Sequence, residues 1–418
     1  MHMRQAQETQ VRQETPSMTD SEAVPYGGIS PNSLENRPLH KALILTHLPQ
    51  RWPWWVVALL LSAGIGAVTA LWARLAPGVA RHVLLAMTVF ALADALTWWL
   101  APRLSVSFGP VWGPLFLLSL PRLAVAAVVA GVARWLDPAV ALGAVVAVNL
   151  LASVALVWGA LIEPRAIELS RLALVAPGWP TDAPPLRVLQ ISDLHVERFG
   201  RREAQLLRMV REIAPDLILL TGDYINLSNV DDPVAHADAR RVLAALSAPH
   251  GVYAILGSPP PERNSAALFP GLHIRLLRDA RALVDLSEGR QLALLGLDCI
   301  YDLDISRAHL ARLTADLPES AYRVLLYHSP ELISDAPRFG INLYLCGHTH
   351  GGQIRLPFYG AMVTSSTLGK RYEMGHYVVA GTDVYISRGI GLEGMGAPRL
   401  RFLCPPEITL CTIRGTSR

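Results

Sequence analysis

The chain has 418 residues, of which 51% are hydrophobic and 17% charged, against roughly 25% charged in an ordinary soluble domain. Together with a mean hydropathy of +0.32, this excludes a single soluble domain. It predicts membrane spans plus a globular part, in a chain long enough for two or three domains. A net charge of +3 gives no electrostatic footprint for nucleic acid. The four cysteines, Cys299, Cys346, Cys404 and Cys411, contain no CxxC pair; they read as small apolar core residues rather than a zinc knuckle or a disulfide framework.

Residues 1–50 read as a disordered tail. To about residue 35 they are rich in Gln, Glu, Ser, Thr and Pro, a composition that cannot bury enough surface to fold, and Leu39 to Leu48 reads as an amphipathic stretch lying on a membrane surface. A transmembrane helical region of about four helices is expected over 51–165. Its apolar segments are Pro53 to Ala73, His82 to Ala101, Val111 to Leu136 and Pro138 to Ile162. Each approaches or exceeds the ~20 residues that cross a ~30 Å hydrocarbon core. Tryptophans cluster at segment ends (Trp52, Trp54, Trp55, Trp98, Trp99), as an interfacial belt requires. The third segment carries Arg122 near its middle, a costly residue in lipid, with Asp94 of the second segment as its expected partner in a structural ion pair. A transporter reading would rest on these two residues alone. Four spans put Arg37, Lys41, Arg51, Arg103, Arg165 and Arg171 on one side, against Arg74, Arg81 and Arg134 on the other. That bias predicts a multi-pass cell-membrane protein whose C-terminal domain is cytoplasmic; were the third segment not to span, the domain would flip outward.

Residues 166–185 read as a linker or leading strand. Over 186–418 the pattern becomes α/β: short apolar strands run into polar residues, and helical spacing recurs in Arg201 to Pro215 and Ala237 to Gly251. Reactive side chains collect after the strands, where α/β folds place them. "ISDLH" ends in Asp193 and His195, "LLTGD" in Asp223, "LLYH" in His328, and "CGHTHGGQ" contains His348 and His350. Carboxylate with imidazole suits manganese, iron or zinc. In an extended segment positions i and i+2 point the same way, so Asp193 with His195, and His348 with His350, are expected to reach one small volume. A carboxylate such as Asp223 can bridge two ions.

These motifs, in this order, resemble the calcineurin-like metallophosphoesterases, whose pattern is D-x-H, G-D, G-N-H-D/E, H, then G-H-x-H. Within them, "CGHTHGGQIRLP" and the tail "YISRGIGLEGMGAPRLRFLCPPEITL" are most similar to the membrane-associated bacterial phosphodiesterase group. The resemblance spans Leu186 to Arg414. It implies two packed β-sheets flanked by helices, with a dinuclear centre at one edge. It implies Asp193, His195, Asp223 and His350 around the first ion, and Asp223, His328 and His348 around the second. Asp223 would be the bridge, and Asp223, His348 and His350 would act in catalysis. The substrate implied is a phosphodiester or pyrophosphate; the membrane anchor favours a lipid-linked one, with membrane lipid as the other partner.

The third motif departs from the pattern. "GVYAILG" aligns without a gap and is followed by Ser258, Pro259 and Pro260 where the family has Asn, His and an acid. The second metal site is therefore expected to be weakened. One outcome is an altered but working phosphoesterase, since a lost general acid costs about 10²–10⁴-fold rather than everything. A second is a catalytically impaired metal- or phosphate-binding protein with a sensor or scaffold role. In a third, Glu262, Asn264 or His250 moves in.

Overall fold

A computed structural model describes residues 45, 48–259, 261–394 and 398–416. The expected tail and most of the amphipathic stretch lie outside the described residues, as do Arg37, Lys41, Pro260 and the side chains of Arg51, Glu262 and Asn264.

Four helices come first: α1 (Trp54–Leu75), α2 (Ala80–Arg103), α3 (Trp112–Ala133) and α4 (Pro138–Val157). All four are long and apolar enough to cross a membrane, the third included, which makes this a membrane protein. They are apolar on nearly every face, as helices surrounded by lipid must be. At the start of α4, Pro138 occupies the first turn and the Asp137 carboxylate accepts from the Ala139 and Val140 amides, satisfying otherwise orphaned donors. Inside the bundle, Arg122 donates to both carboxylate oxygens of Asp94 at 2.7 Å, to the Asn149 carbonyl at 2.7 Å and to Ser153 Oγ at 2.9 Å. The intramembrane charge is thus paired and hydrogen-bonded, the only form in which it is tolerable.

A further strand, β1 (Glu168–Ala176), falls within the stretch expected to be a linker or leading strand. It pairs in parallel with β14 (Glu407–Gly415), from Glu168 opposite Glu407 to Ala176 opposite Gly415. Of the two alternatives for this stretch, these nine residues form the leading strand; their apolar side chains Leu172, Leu174 and Ala176 alternate into the core.

Next come β2 (Leu186–Ile191), α5 (Arg201–Ile213), β3 (Leu217–Leu220), α6 (Pro233–Ala244), β4 (Val252–Ala254) and β5 (Ile274–Leu276). They are followed by β6 (Ala280–Asp285), β7 (Gln291–Gly296), α7 (Leu303–Thr314), β8 (Tyr322–Leu326) and β9 (Leu343–Cys346). A short hairpin, β10 (Arg355–Leu356) and β11 (Gly360–Ala361), precedes β12 (Gly375–Val379), β13 (Thr382–Ile386) and the closing β14. Two six-stranded sheets result, in the orders β1-β14-β2-β3-β4-β5 and β12-β13-β9-β8-β7-β6. Their inner faces share one core that contains Val188, Leu219, Leu294, Val324 and Leu345. Helices α5 and α6 cover the outer face of the first sheet, and α7 that of the second. The adjoining strands β2–β3 and β8–β9 are parallel, so their C-terminal ends line one edge.

The bundle is joined to that edge. Glu163, just after α4, accepts from the amides of Leu403 (3.0 Å) and Cys404, and from Trp158 Nε1 at 2.7 Å. The Arg401 amide donates to the Gly159 carbonyl at 2.9 Å. Between α2 and α3, Ser107 Oγ and the Phe108 amide both donate to Glu197, two residues beyond His195.

Candidate metal centre

The six residues singled out above come from both sheets. Asp193 and His195 follow β2 and Asp223 follows β3; His328 follows β8, and His348 and His350 follow β9. All six are buried. They converge by a different route from the one the alternation of a strand suggests. Five of them have left-handed backbones: Asp193 (φ +49°), His195 (+39°), Asp223 (+55°), His348 (+68°) and His350 (+50°). Such conformations cost on the order of 1–3 kcal/mol each for a residue with a Cβ and cluster at functional sites. Each strand ends and the chain then turns sharply, aiming the side chain across the gap between the sheets.

Two trios form. The donor atoms of Asp193, His195 and His350 all lie within 4.8 Å of one another, as do those of Asp223, His328 and His348. The trios share a wall: Asp223 Oδ2 is 3.5 Å from His195 Nε2 and 3.2 Å from His328 Nε2, while Asp193 Oδ1 is 3.5 Å from His350 Nε2 and 4.0 Å from His328 Nε2. Glycines make room for the carboxylates. A Cβ at Gly257 would stand 2.0 Å from Asp223 Oδ1, and one at Gly347 2.1 Å from Asp193 Oδ2.

Neighbours fix the imidazoles by their far nitrogens, as around metal ligands generally. His328 Nδ1 is 2.7 Å from the Thr221 carbonyl and must carry its proton there, aiming Nε2 into the site. That Nε2 is buried, with the Asp223 carboxylate 3.2 Å away. His348 Nε2 likewise donates to the Ser365 carbonyl at 2.7 Å, leaving Nδ1 inward. His195 Nδ1 is 2.8 Å from Glu393 Oε2.

The electrostatics are those of a cavity that demands cations. Burial opposes a charged His195, but Glu393, Asp223 and Asp193 outweigh it and push its pKa up to about 9. For His328, burial is likewise overcome by the Asp223 and Asp193 carboxylates, to about 10. Burial would raise Asp223, yet the facing His328 and His195 and the Ser258 amide hold it well below the usual carboxylate range. His350 is held neutral by burial, then by His195 and Arg401, whose Nη2 lies 3.4 Å from Nδ1. Two protons thus sit where positive charge is required. The buried carboxylate–imidazole donors, the inward-aimed His328 nitrogen and the glycine cradle all fit a pair of divalent ions.

Ser258 faces the second trio. Its amide donates to Asp223 Oδ1 at 2.7 Å, and its hydroxyl stands 3.1 Å from His348 Nδ1 and 3.4 Å from Asp223 Oδ2. Pro259 adjoins it with no donor to offer. His250 lies before β4, the opposite end of that strand from Ser258, with its amide on the Asp216 carbonyl, so it does not move in. The structure instead supplies two residues that sequence reasoning missed. The Tyr301 hydroxyl is 3.3 Å from Ser258 Oγ and 3.4 Å from His348 Nε2. Nothing in "DCIYDLD" marks it. Glu393 lies in the "GIGLEGMGAP" stretch of the family-like tail, where its acidic side chain among glycines was the available signal.

Two mixed sheets packed face to face, with carboxylates and imidazoles gathered where their strands end, define a metallophosphoesterase. Residues 186–258 match the family model described as calcineurin-like phosphoesterase. Over 262 residues the chain is 30% identical to the uncharacterized metallophosphoesterase YkuE of Bacillus subtilis, an alignment that covers 61% of this chain and 88% of that protein. It is 30% identical to phosphodiesterase YaeI of Escherichia coli (59% and 88% covered) and 24% identical to the UDP-2,3-diacylglucosamine pyrophosphatase LpxG of Chlamydia trachomatis (61% and 91%). The chain belongs to the calcineurin-like phosphoesterase family, hydrolases acting on phosphoester bonds.

Proposed function

We propose that this protein is a membrane-anchored, metal-dependent phosphoesterase that cleaves a phosphodiester or pyrophosphate bond in a lipid-linked substrate on the cytoplasmic side. The observation that carries this reading is the pair of buried donor trios, with Asp223 Oδ2 of the second 3.5 Å from His195 Nε2 of the first. Asp193, His195, Asp223 and His350 would hold one ion, and Asp223, His328 and His348 the other; the donor chemistry suits manganese, iron or zinc. Bound there, the ions would acidify water and polarise a phosphoryl oxygen. The chain's own residues do the positioning. Glu393 and the Thr221 and Ser365 carbonyls orient three imidazoles, and the Ser258 amide steadies Asp223. Glu197 and Glu163 tie the strand-end loops to the bundle, so the site lies beside the bilayer, and tethering there raises the local concentration of a lipid-borne ester. The name of the chlamydial relative, a pyrophosphatase of a diacylated sugar nucleotide, supports an acylated pyrophosphate as one such substrate.

A specific observation favours a second reading, a metal-binding sensor or scaffold. The Ser258 hydroxyl stands 3.1 Å from His348 Nδ1, the nitrogen that would ligate the second ion, and Pro259 cannot protonate a leaving group. Manganese-dependent hydrolysis of a bis-aryl phosphodiester by the full-length chain in detergent separates the two readings. Strand β1 belongs to the sheet, so a fragment beginning at Leu186 would lack an edge strand. The phosphoesterase reading expects two ions per chain and turnover that is lost in Asp223→Ala and His350→Ala; turnover unchanged in both variants would sink it. Bound metal without turnover on diesters or pyrophosphates establishes the sensor reading.

A further inference from the structure

The hairpin β10–β11 projects from the edge that carries the metal centre. Its tip is Pro357-Phe358-Tyr359. Phe358 is completely exposed, at 110% of its reference area, and Leu356, Tyr359 and the adjacent Met362 are also exposed. Single exposed apolar residues are ordinary, but a contiguous patch marks an interaction site. Phe358 also adopts φ +66°, a left-handed conformation that an aromatic residue rarely takes. The turn thus holds a large apolar ring outward in a left-handed backbone, and no described residue covers it.

The root of the hairpin indicates what covers it. Ile354 and Phe402 pack against the end of the bundle, in the cluster that contains Val57, Trp98 and Leu115. The Arg355 amide donates to the Phe402 carbonyl at 2.9 Å. Leu403, half-exposed, lines the same cleft of about 560 Å³ as Phe358, and its amide donates to Glu163 just beyond α4. At this end of the bundle Trp54, Trp55, Trp99, Trp112 and Trp158 are all exposed. They begin α1 and α3 and close α2 and α4, which places a tryptophan belt, and with it the lipid–water interface, level with the hairpin's root. The hairpin also carries a cationic collar. Lys370 Nζ lies 4.0 Å from the Tyr359 ring centroid and, with Arg355, flanks the single carboxylate of Glu373 at 2.6 and 2.9 Å. An apolar tip with aromatic and basic flanks is the pattern of a segment seated at an anionic bilayer surface.

We propose that the hairpin Arg355–Ala361 is a lipid-inserting finger: Phe358, Leu356 and Tyr359 enter the interfacial layer of the bilayer that holds the bundle, with Lys370 and Arg355 at headgroup level. The finger connects that layer to the metal centre at both of its ends. His350 lies four residues before Ile354, and the Ser365 carbonyl, just beyond the hairpin, accepts from His348. The inference does not depend on the chain being catalytically active.

The test uses the full-length chain in bilayers of mixed phosphatidylcholine and phosphatidylglycerol. The four native cysteines are buried, so a small environment-sensitive fluorophore can be placed singly at Phe358→Cys. Its control is Glu319→Cys, an exposed site before β8, at the far end of the sheet from the metal centre. The position 358 label is expected to emit to the blue of the 319 label. It should lose emission to lipids carrying a shallow nitroxide and resist aqueous iodide, with the 319 label showing the reverse. Iodide quenching equal at the two positions overturns the proposal. So does protection of position 358 from both quenchers, which would mean that a second copy of the chain covers the tip.

Discussion

The two donor trios share a wall but differ in what closes them. Around Asp193, His195 and His350 the supports are charged and tightly placed: Glu393 on His195 and Arg401 beside His350. Around Asp223, His328 and His348 they are two backbone carbonyls, and the open side is closed by the hydroxyls of Ser258 and Tyr301. The same loop position thus supplies an amide that steadies one ligand and a hydroxyl that competes for another. Both trios offer buried donor atoms to a cation, whereas the Ser258 and Tyr301 hydroxyls stand beside only the second.

The substitution with the largest expected effect breaks the comparison outright. Asp223→Ala removes the wall common to both trios, so metal content should fall from two ions toward none. Turnover should fall by more than the about 10–100-fold that loss of a supporting partner costs. Metal analysis of the purified variant checks this, and retention of both ions would show that Asp223 is not shared.

Introducing the family pattern's third-motif residues with Ser258→Asn and Pro259→His should equalise the trios. A returned general acid is worth about 10²–10⁴-fold in turnover, together with tighter binding of the second ion; steady-state rates on an unactivated diester measure the gain. An unchanged rate with both ions bound would assign the loop no part in limiting catalysis.

Glu393→Ala should act on one side only. It frees His195 Nδ1 and should weaken the first ion about 10–100-fold while leaving the second in place, as metal titration in a chelator-buffered series will show. Equal weakening of both sites would show that the two trios do not hold their ions separately.

The smallest effect is on pH dependence. Metal-free His195 and His328 hold protons up to about 9 and about 10. An ion must displace them, so affinity falls as pH drops below those values and rises as pH climbs through them. The dependence of the first site should level off before that of the second. Calorimetry at pH 7.5 in buffers of different ionisation enthalpy should count about one proton released per ion; no release would contradict the charge state assigned to the cavity.

Much of this protein is local and therefore legible in its sequence. Length and all-round apolarity specify the four spans, because lipid leaves a helix no polar alternative. The reactive residues are visible because each directly follows a short apolar strand. Asp94 and Arg122 could be paired in advance because a charge buried in a membrane must find its opposite. What the tertiary structure decided lies beyond the reach of local pattern. β1 became a sheet strand because β14, at the far end of the chain, offered it an edge. Asp193 and His195 converge through left-handed turns rather than strand alternation, since the energy that holds such backbones comes from the packed loops around them. Tyr301 joined the site from a segment with no motif of its own, and Glu393 from a tail whose resemblance gave it no role, because a hydrogen-bond partner is chosen by position in space and not by its neighbours in sequence. The docking of Glu163 and Glu197 set the metal centre beside the helix bundle for the same reason.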